Sequence, residues 1–384
     1  MKMKLLPTLC FACFASSVSL RAVDPMLPAI AGDFNISLGE AALLASAYSF
    51  PYAIMQLLLG PAGDAFGRTR LIRLSLAMVG LGSALCAVAP SFVVALLARM
   101  LAGAFAGGIV PVCLALVGDR TALADRQYAL SRIMIATITG QMTGAAAAGL
   151  LAAAVGWRMM FVATTVVVGS AFLASLLFLE SAGDRRTPFT PAQIAHGYRV
   201  VLANPASLVV FAMAAAEGLF LYGIFPFVAP LIAAHGEGGT FEAGLALASF
   251  AIGGVLYGLA VRVVLRWLDT VGMLLSGGVL AGLAYMAVAT ALPFAGTAAL
   301  FLIAGFGAYM LHNTLQTRAT ELAQTARGAT FALFSASLFL GQGIGPVAGG
   351  AAVPTTGFAP LFITAGALMI AAAVGAAHWL RRHP

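Results

Sequence analysis

The chain has 384 residues, of which 61% are hydrophobic and 9% charged. Soluble globular domains carry about a quarter charged residues, so a water-soluble fold is excluded and a lipid-embedded one implied. The formal net charge is +7, from 20 Lys and Arg against 13 Asp and Glu, but the basic residues are dispersed among short turns rather than gathered on one face, which argues against a nucleic-acid partner.

Apolar runs approaching the ~20 residues that cross about 30 Å of hydrocarbon as a helix follow one another along the chain. They are Leu5 to Ala31, Ala41 to Leu59, Leu74 to Ala89, Phe92 to Val117, Tyr128 to Val155, Met159 to Leu179, Ala206 to Ile232 and Ala243 to Val261. Two longer intervals are helical hairpins: Thr270 to Thr317, split at Leu292-Pro293, and Gly328 to Leu380, split at Pro354-Thr355-Thr356-Gly357. The expectation is an all-α membrane protein of about twelve transmembrane helices, since lipid cannot satisfy the backbone of irregular structure.

Lysines ahead of a short apolar core, with Ser19-Leu20-Arg21-Ala22 behind it, make Met1 to Ala22 similar to a cleaved leader. Removing it would leave an odd number of spans and reverse the charge asymmetry, so it is read as the first helix. An N-terminus inside the cell puts Lys2, Lys4, Arg68, Arg70, Arg73, Arg120, Arg126, Arg132, Arg185, Arg186, Arg199, Arg262, Arg266, Arg318, Arg327, Arg381 and Arg382 on the cytoplasmic side. Arg21, Arg99 and Arg158 fall elsewhere, and Asp33, Glu40, Glu237 and Glu242 occupy the opposite loops. This bias orients the chain, with both termini cytoplasmic. Cys10 and Cys13 form a C-x-x-C inside an apolar helix, where they read as small packing residues. No His/Cys metal cluster or nucleotide-binding loop is legible, so no cofactor and no metal are expected.

The chain repeats itself. Gly140-Gln141-Met142-Thr143-Gly144 recurs as Gly341-Gln342-Gly343-Ile344-Gly345, Gly149 matches Gly350, Gly156 matches Gly357 and Phe161 matches Phe362, all at an offset of 201 positions. Helix five therefore corresponds to helix eleven. The expected organisation is a six-helix bundle over residues 1–180, a cytoplasmic linker over 181–205 containing a short surface helix, and a second six-helix bundle over 206–384, arranged to rock about a central site.

Between the second and third runs, Gly60, Asp64, Gly67 and Arg68 fit G-x-x-x-D-x-x-G-R. This resembles the loop between the second and third helices of the major facilitator superfamily, whose members carry small solutes across membranes. Asp24-Pro25-Met26-Leu27-Pro28 is similar to the D-x-x-L-P segment ending the first helix of that superfamily's drug:proton antiporters. Arg99 with Gly103 and Gly107 resembles the R-x-x-x-G signature of helix four, and Gly156-Trp157-Arg158 the turn before helix six. Leu311-His312-Asn313-Thr314-Leu315-Gln316-Thr317 is similar to a stretch of bacterial members. The second-half counterpart of the charged loop, Gly258 to Gly272, is degraded, with Arg262 where the aspartate would be.

The resemblance implies that Asp64, Arg68 and Asp119 form a gating network holding the halves together when the protein opens outward, with Asp64 also able to meet the positive N-terminal end of helix eleven near Gly328. Gly341, Gly345, Pro346, Gly349 and Gly350 resemble the glycine-proline motif that the antiporters carry on helix five. Here Pro346 lies on helix eleven, and the helix-five copy has Ala145 instead. Small residues at such intervals let helices pack closely.

Charges inside lipid need a reason. Glu217 lies midway along its apolar run with no evident local partner, so it is the first candidate for loading a proton or binding substrate. Asp24 and Arg99 each sit roughly 10 Å below the outer surface at about 1.5 Å rise per residue, and an Asp24–Arg99 ion pair is expected, with Arg21 one turn deeper. Tyr48, Tyr52, Gln56, Gln141, Phe220, Tyr222, Tyr309, His312 and Asn313 are candidates for the cavity wall. A mostly aromatic and apolar wall with one acid suits amphiphilic or cationic compounds.

The expectation is a secondary transporter working by alternating access, not an enzyme. It is read as exporting small drug-like or metabolite molecules against protons, as a monomer in the lipid bilayer of a bacterial inner membrane. The alternative is uptake by proton symport or uniport. A channel is disfavoured by the two-bundle repeat.

Overall fold

A computed structural model describes residues 4–181, 190–323 and 326–382. Of the predicted cytoplasmic basic residues, Lys2, Arg185, Arg186 and the side chain of Arg327 lie outside the described part, as do residues 182–189 of the linker.

Among the described residues, twelve helices are long and apolar enough to cross a membrane. In order they are Leu5–Phe34, Leu38–Phe66, Arg68–Ala87, Phe92–Arg120, Ala124–Ala154, Trp157–Phe178, Ala206–Ala234, Thr240–Val264, Thr270–Val288, Phe294–Leu322, Gly328–Thr356 and Phe358–Arg382. A further helix, Pro191–Leu202, lies between the sixth and seventh spans. The second span starts from a capping box in which Ser37 and Glu40 exchange hydrogen bonds. It ends at Gly67, whose φ of 99° suits a residue without a side-chain Cβ.

The first and seventh spans are not single helices. The first runs as Leu5–Arg21, a 3-10 turn at Asp24–Met26, then Leu27–Phe34. The seventh runs as Ala206–Glu217, a π turn at Gly218–Tyr222, a 3-10 turn at Phe225–Phe227, then Val228–Ala234. Pro25 and Pro28 in one, and Pro226 and Pro230 in the other, withhold the N–H groups a continuous α-helix needs. The two 3-10 turns are 201 positions apart, so the duplication read on helices five and eleven extends to the breaks.

It extends to the packing as well. Gly140 lies so close to the Phe14 carbonyl that a side chain would collide with it, and Gly341 stands in the same relation to the Ala215 carbonyl. Both members of that contact are displaced by 201 positions. The halves meet along two seams that are likewise images of each other. A Cβ on Gly39 of the second span would lie 2.8 Å from the Gly350 carbonyl oxygen of the eleventh, and one on Gly149 of the fifth would lie 2.6 Å from the Thr240 carbonyl oxygen of the eighth. Along the first seam Ser46 Oγ donates to the Gly343 carbonyl at 2.7 Å, and Tyr52 stacks on Phe339 with ring centroids 3.7 Å apart. Toward the other end the fifth and eighth spans part, and Ile135 and Leu259 border open space.

Candidate functional site

Between the halves, on the side of the seams that carries the Asp64–Arg68 turn, lies a cavity of about 560 Å³. Of the candidates for the wall, Tyr52, Gln56, Gln141, Tyr222, Tyr309, His312 and Asn313 line it, and Arg21 joins them. Tyr48 and Phe220 do not. Tyr48 is turned under the Arg99 guanidinium, 4.1 Å from ring centroid to the guanidinium carbon, and Phe220 packs against a core cluster drawn from both halves. Gln342, Gln316, Ser335, Ser16 and Ser17 join the wall without having been singled out. Gln342 was legible only as part of a glycine motif, although its place between Gly341 and Gly343 on an inter-half helix was a usable signal.

Glu217 is fully buried at the end of the Ala206–Glu217 helix, where the backbone passes into the π turn. Glu217 has no local partner but a distant one: His312 Nδ1 stands 3.0 Å from Oε1 and 3.2 Å from Oε2. The partner comes from the tenth span, 95 residues away in sequence, and the imidazole also packs on Phe334, 5.4 Å between centroids. His312, not Glu217, therefore faces the cavity, so the wall presents no carboxylate among the described lining residues.

The expected Asp24–Arg99 ion pair is corrected. Asp24 Oδ2 accepts from Arg21 at 3.4 Å. Arg99 donates instead to the Ser19 carbonyl at 3.1 Å and the Leu44 carbonyl at 3.4 Å. The physical reason is the break after Arg21: carbonyls in the last turn of a helix lack intrahelical donors, and Ser19 sits in that turn. Arg99, Gly103 and Gly107 thus form one ridge set against Leu44, Tyr48 and Tyr52, the glycines admitting the Tyr48 and Tyr52 carbonyls. Asp24 itself borders a small recess beside the main cavity, shared with Ser49, Pro226, Gln342 and Pro346.

Arg21 is 6% exposed and crosses to the other half, its guanidinium carbon 5.0 Å from the Tyr222 centroid and 4.9 Å from that of Phe225. Cation–π contacts of this kind contribute about 0.5–2 kcal/mol, more as water is excluded.

At the turn end, Arg68 gathers both acids. Its Nε and Nη2 donate to Asp64 Oδ1 at 3.0 and 2.8 Å, and Nη1 reaches Asp119 Oδ2 at 2.5 Å and the Ala115 carbonyl at 2.6 Å. Gly67 makes the break between the two helices, whereas Gly60 and Asp64 lie within the last turns of the Leu38–Phe66 helix. Among the described residues the hydrogen bonds on Asp64 come from Arg68, within its own half, rather than from the start of the eleventh span. The network ties the second and fourth spans together. Of the helix-eleven residues, Gly341 and Gly345 pack on the seventh span, Gly349 on Phe227 of the same span, and Gly350 on Gly39 across the seam. Pro346 borders the recess.

Twelve apolar helices, duplicated halves and a cavity between them converge with a direct family match over residues 9–335. The chain belongs to the Major Facilitator Superfamily. That superfamily consists of transporters rather than enzymes, and its members are multi-pass membrane proteins. Over nearly its whole length the chain is similar to the inner membrane transport protein YdhP of Escherichia coli, 28% identical over 370 residues, or 90% of this chain and 88% of that one. It is 26% identical over 336 residues to the MFS-type transporter YceJ of Bacillus subtilis, covering 84% and 82%. The efflux pump dotC of Dothistroma septosporum is 31% identical over 192 residues, 48% of this chain. The match spans about a third of that fungal pump, 31% of its length. Among solved structures, the fold is shared with the POT family transporter PepTSo at a TM-score of 0.80 and 16% identity, covering 100% and 99% of the two chains. A bacterial homologue of the human lysosomal transporter Spinster, inward-facing and unoccupied, matches at 0.73 and 18%, covering 97% and 95%.

Proposed function

We propose that this superfamily member is a proton-coupled exporter of small drug-like or metabolite molecules, of the drug:proton antiporter type, in a bacterial inner membrane. Residues 1–180 and 206–384 move as two units about the cavity, and the end bearing the Asp64–Arg68 turn and both termini faces the cytoplasm. The observation that carries the coupling is the Glu217–His312 pair, a carboxylate with no solvent exposure bonded to an imidazole on the cavity wall. Such a pair holds one proton on Nδ1 when neutral at His312 and accepts a second as an imidazolium–carboxylate pair, so its proton count can change as the cavity changes sides. The π turn beside Glu217 is the kind of local departure that recurs at functional sites. The efflux names of several relatives support the direction of transport.

The test is substrate-induced collapse of an imposed proton gradient in inverted vesicles holding the intact protein, Glu217→Gln or His312→Gln. Proton release by the intact protein alone supports the reading. Equal transport by all three without proton movement overturns it.

A further inference from the structure

The charged groups that face the cavity are not those expected of a site for cations. Among the described lining residues, Arg21 carries a positive charge, His312 joins it when protonated, and no aspartate or glutamate is present. Each acid of the region stands behind a base: Glu217 behind His312, and Asp24 in the side recess behind Arg21.

Arg21 is the more informative of the two bases. It is more than nine-tenths buried, it lines the cavity, and its one hydrogen bond among the described residues is a single contact to Asp24 at 3.4 Å. A guanidinium has five N–H donors in a fixed fork, so most of them have no partner among the described residues where Arg21 lines the cavity, with Tyr222 and Phe225 packed beside the guanidinium. The hydrogen bonds of the neighbouring Arg99 go to carbonyls rather than to a carboxylate. With His312 protonated, the charged groups at and behind this wall are Arg21, Arg99 and the half-buried His312 against Asp24 and Glu217, an excess of one positive charge. An unbalanced charge in a region of low dielectric attracts an opposite one. Around the fork, Gln56, Gln141, Asn313, Gln316 and Gln342 offer amides that both donate and accept. The Gln56 Oε1 is buried without a hydrogen-bond partner.

We propose that the cavity binds a small organic monoanion, its carboxylate in the fork of Arg21 and its body among the amides and the rings of Tyr52 and Tyr309. This assignment rests on the reading of the cavity as the substrate site. It reverses the cationic preference expected from the sequence, because His312 screens the single acid on which that preference depended.

The test uses three molecules of similar shape and different charge, phenylacetate, phenylacetamide and phenethylamine, with thermal stabilisation of the purified full-length protein as the readout of binding. Phenylacetate is expected to bind about tenfold or more tightly than the amide, the worth of a charge-assisted bidentate contact, and the amine most weakly. Arg21→Gln should abolish the difference between acid and amide while leaving amide binding in place, and Arg21→Lys should restore part of it. A preference of the intact protein for amine or amide, failure of phenylacetate to bind at its solubility limit, or an acid preference that survives Arg21→Gln overturns the proposal. The intact protein alone suffices for the first two outcomes should the variants fold poorly. Because no proton moves in this measurement, its failure is separate from that of the vesicle assay: carboxylate selectivity without proton release overturns coupling alone, and proton release driven by amines alone overturns the anion assignment alone.

Discussion

Arg21 and Tyr222 occupy equivalent positions in the two halves, 201 residues apart, and they touch, guanidinium carbon to ring centroid at 5.0 Å. A duplication whose own equivalent residues meet places them on the approximate two-fold axis. There they join the break of the first span to the break of the seventh.

Tyr222→Leu is therefore expected to weaken closure at the seam end by about 1 kcal/mol, the middle of the cation–π range, whereas Tyr222→Phe keeps the ring and the closure. A cysteine at Ala45, which borders the recess by Asp24, reads this out. Its labelling by a membrane-impermeant maleimide from the seam side should rise about fivefold in the Leu variant and stay unchanged in the Phe variant.

Gly140→Ala and Gly341→Ala each drive a methyl into a facing carbonyl, so each should destabilise the protein by about 1–3 kcal/mol through overpacking. Gly118→Ala meets nothing within 4 Å of its new methyl and sits inside a helix, where alanine is favoured by about 1 kcal/mol. Thermal unfolding in one detergent should rank the two buried variants below the parent and Gly118→Ala at or above it.

Arg68→Lys keeps the charge of the turn but loses the fork that holds Asp64 and Asp119 at once. Exchange of labelled substrate across vesicles is expected to fall at least tenfold, with the protein still folded by its thermal transition. Unchanged exchange would assign the arginine to membrane orientation alone.

Tyr198, on the helix between the halves, donates its hydroxyl to the Leu57 carbonyl of the second span at 2.7 Å. Tyr198→Phe should release that helix by about 1 kcal/mol, seen as faster amide hydrogen exchange over Pro191–Leu202. Burial pushes the phenol above its ordinary value of about 10. The neutral donor is thus favoured in the folded state, and its contribution is fully present below pH ~10 and lost only as the pH rises through the folded value. Across the physiological range the contact should show no pH dependence.

Exchange of one monoanion leaving for one proton entering moves two charges in the same electrical direction, each worth about 2.3 kcal/mol per 100 mV. If Arg21 holds an anion, an imposed potential, negative inside, should drive its export from proteoliposomes even without a pH gradient. Indifference to the potential would contradict that pairing.

The twelve spans and the duplication were legible in the sequence, because each rests on local spacing: apolar run lengths and a constant offset. The Asp64–Arg68–Asp119 cluster came from the family resemblance instead, and its contacts lie within the first half rather than between the halves. What was not legible was the pairing of buried charges. Arg21 and Asp24 lie three residues apart, yet depth in the membrane points to Arg99 as the partner, because nothing in the apolar pattern announces that the first helix breaks between them and exposes the Ser19 carbonyl. Glu217 looked solitary for the related reason that its partner comes from another helix. His312 was noted as a wall residue, but its facing toward Glu217 depends on the rotation of two helices that apolar runs of this kind leave unspecified.

At one point of each seam, Gly39 against Gly350 and Gly149 against Thr240, main chain meets main chain with no side chain between. Side chains change rotamer in nanoseconds, and a barrier made of them leaks whenever one swings aside. A barrier of main chain has no such hinge: it yields only when whole helices move apart, in microseconds or slower. If the halves move as the two units proposed above, these glycine contacts filter the protein's fluctuations by timescale, so that thermal jostling of single residues does not part them and passage of solute is tied to a full excursion of the scaffold.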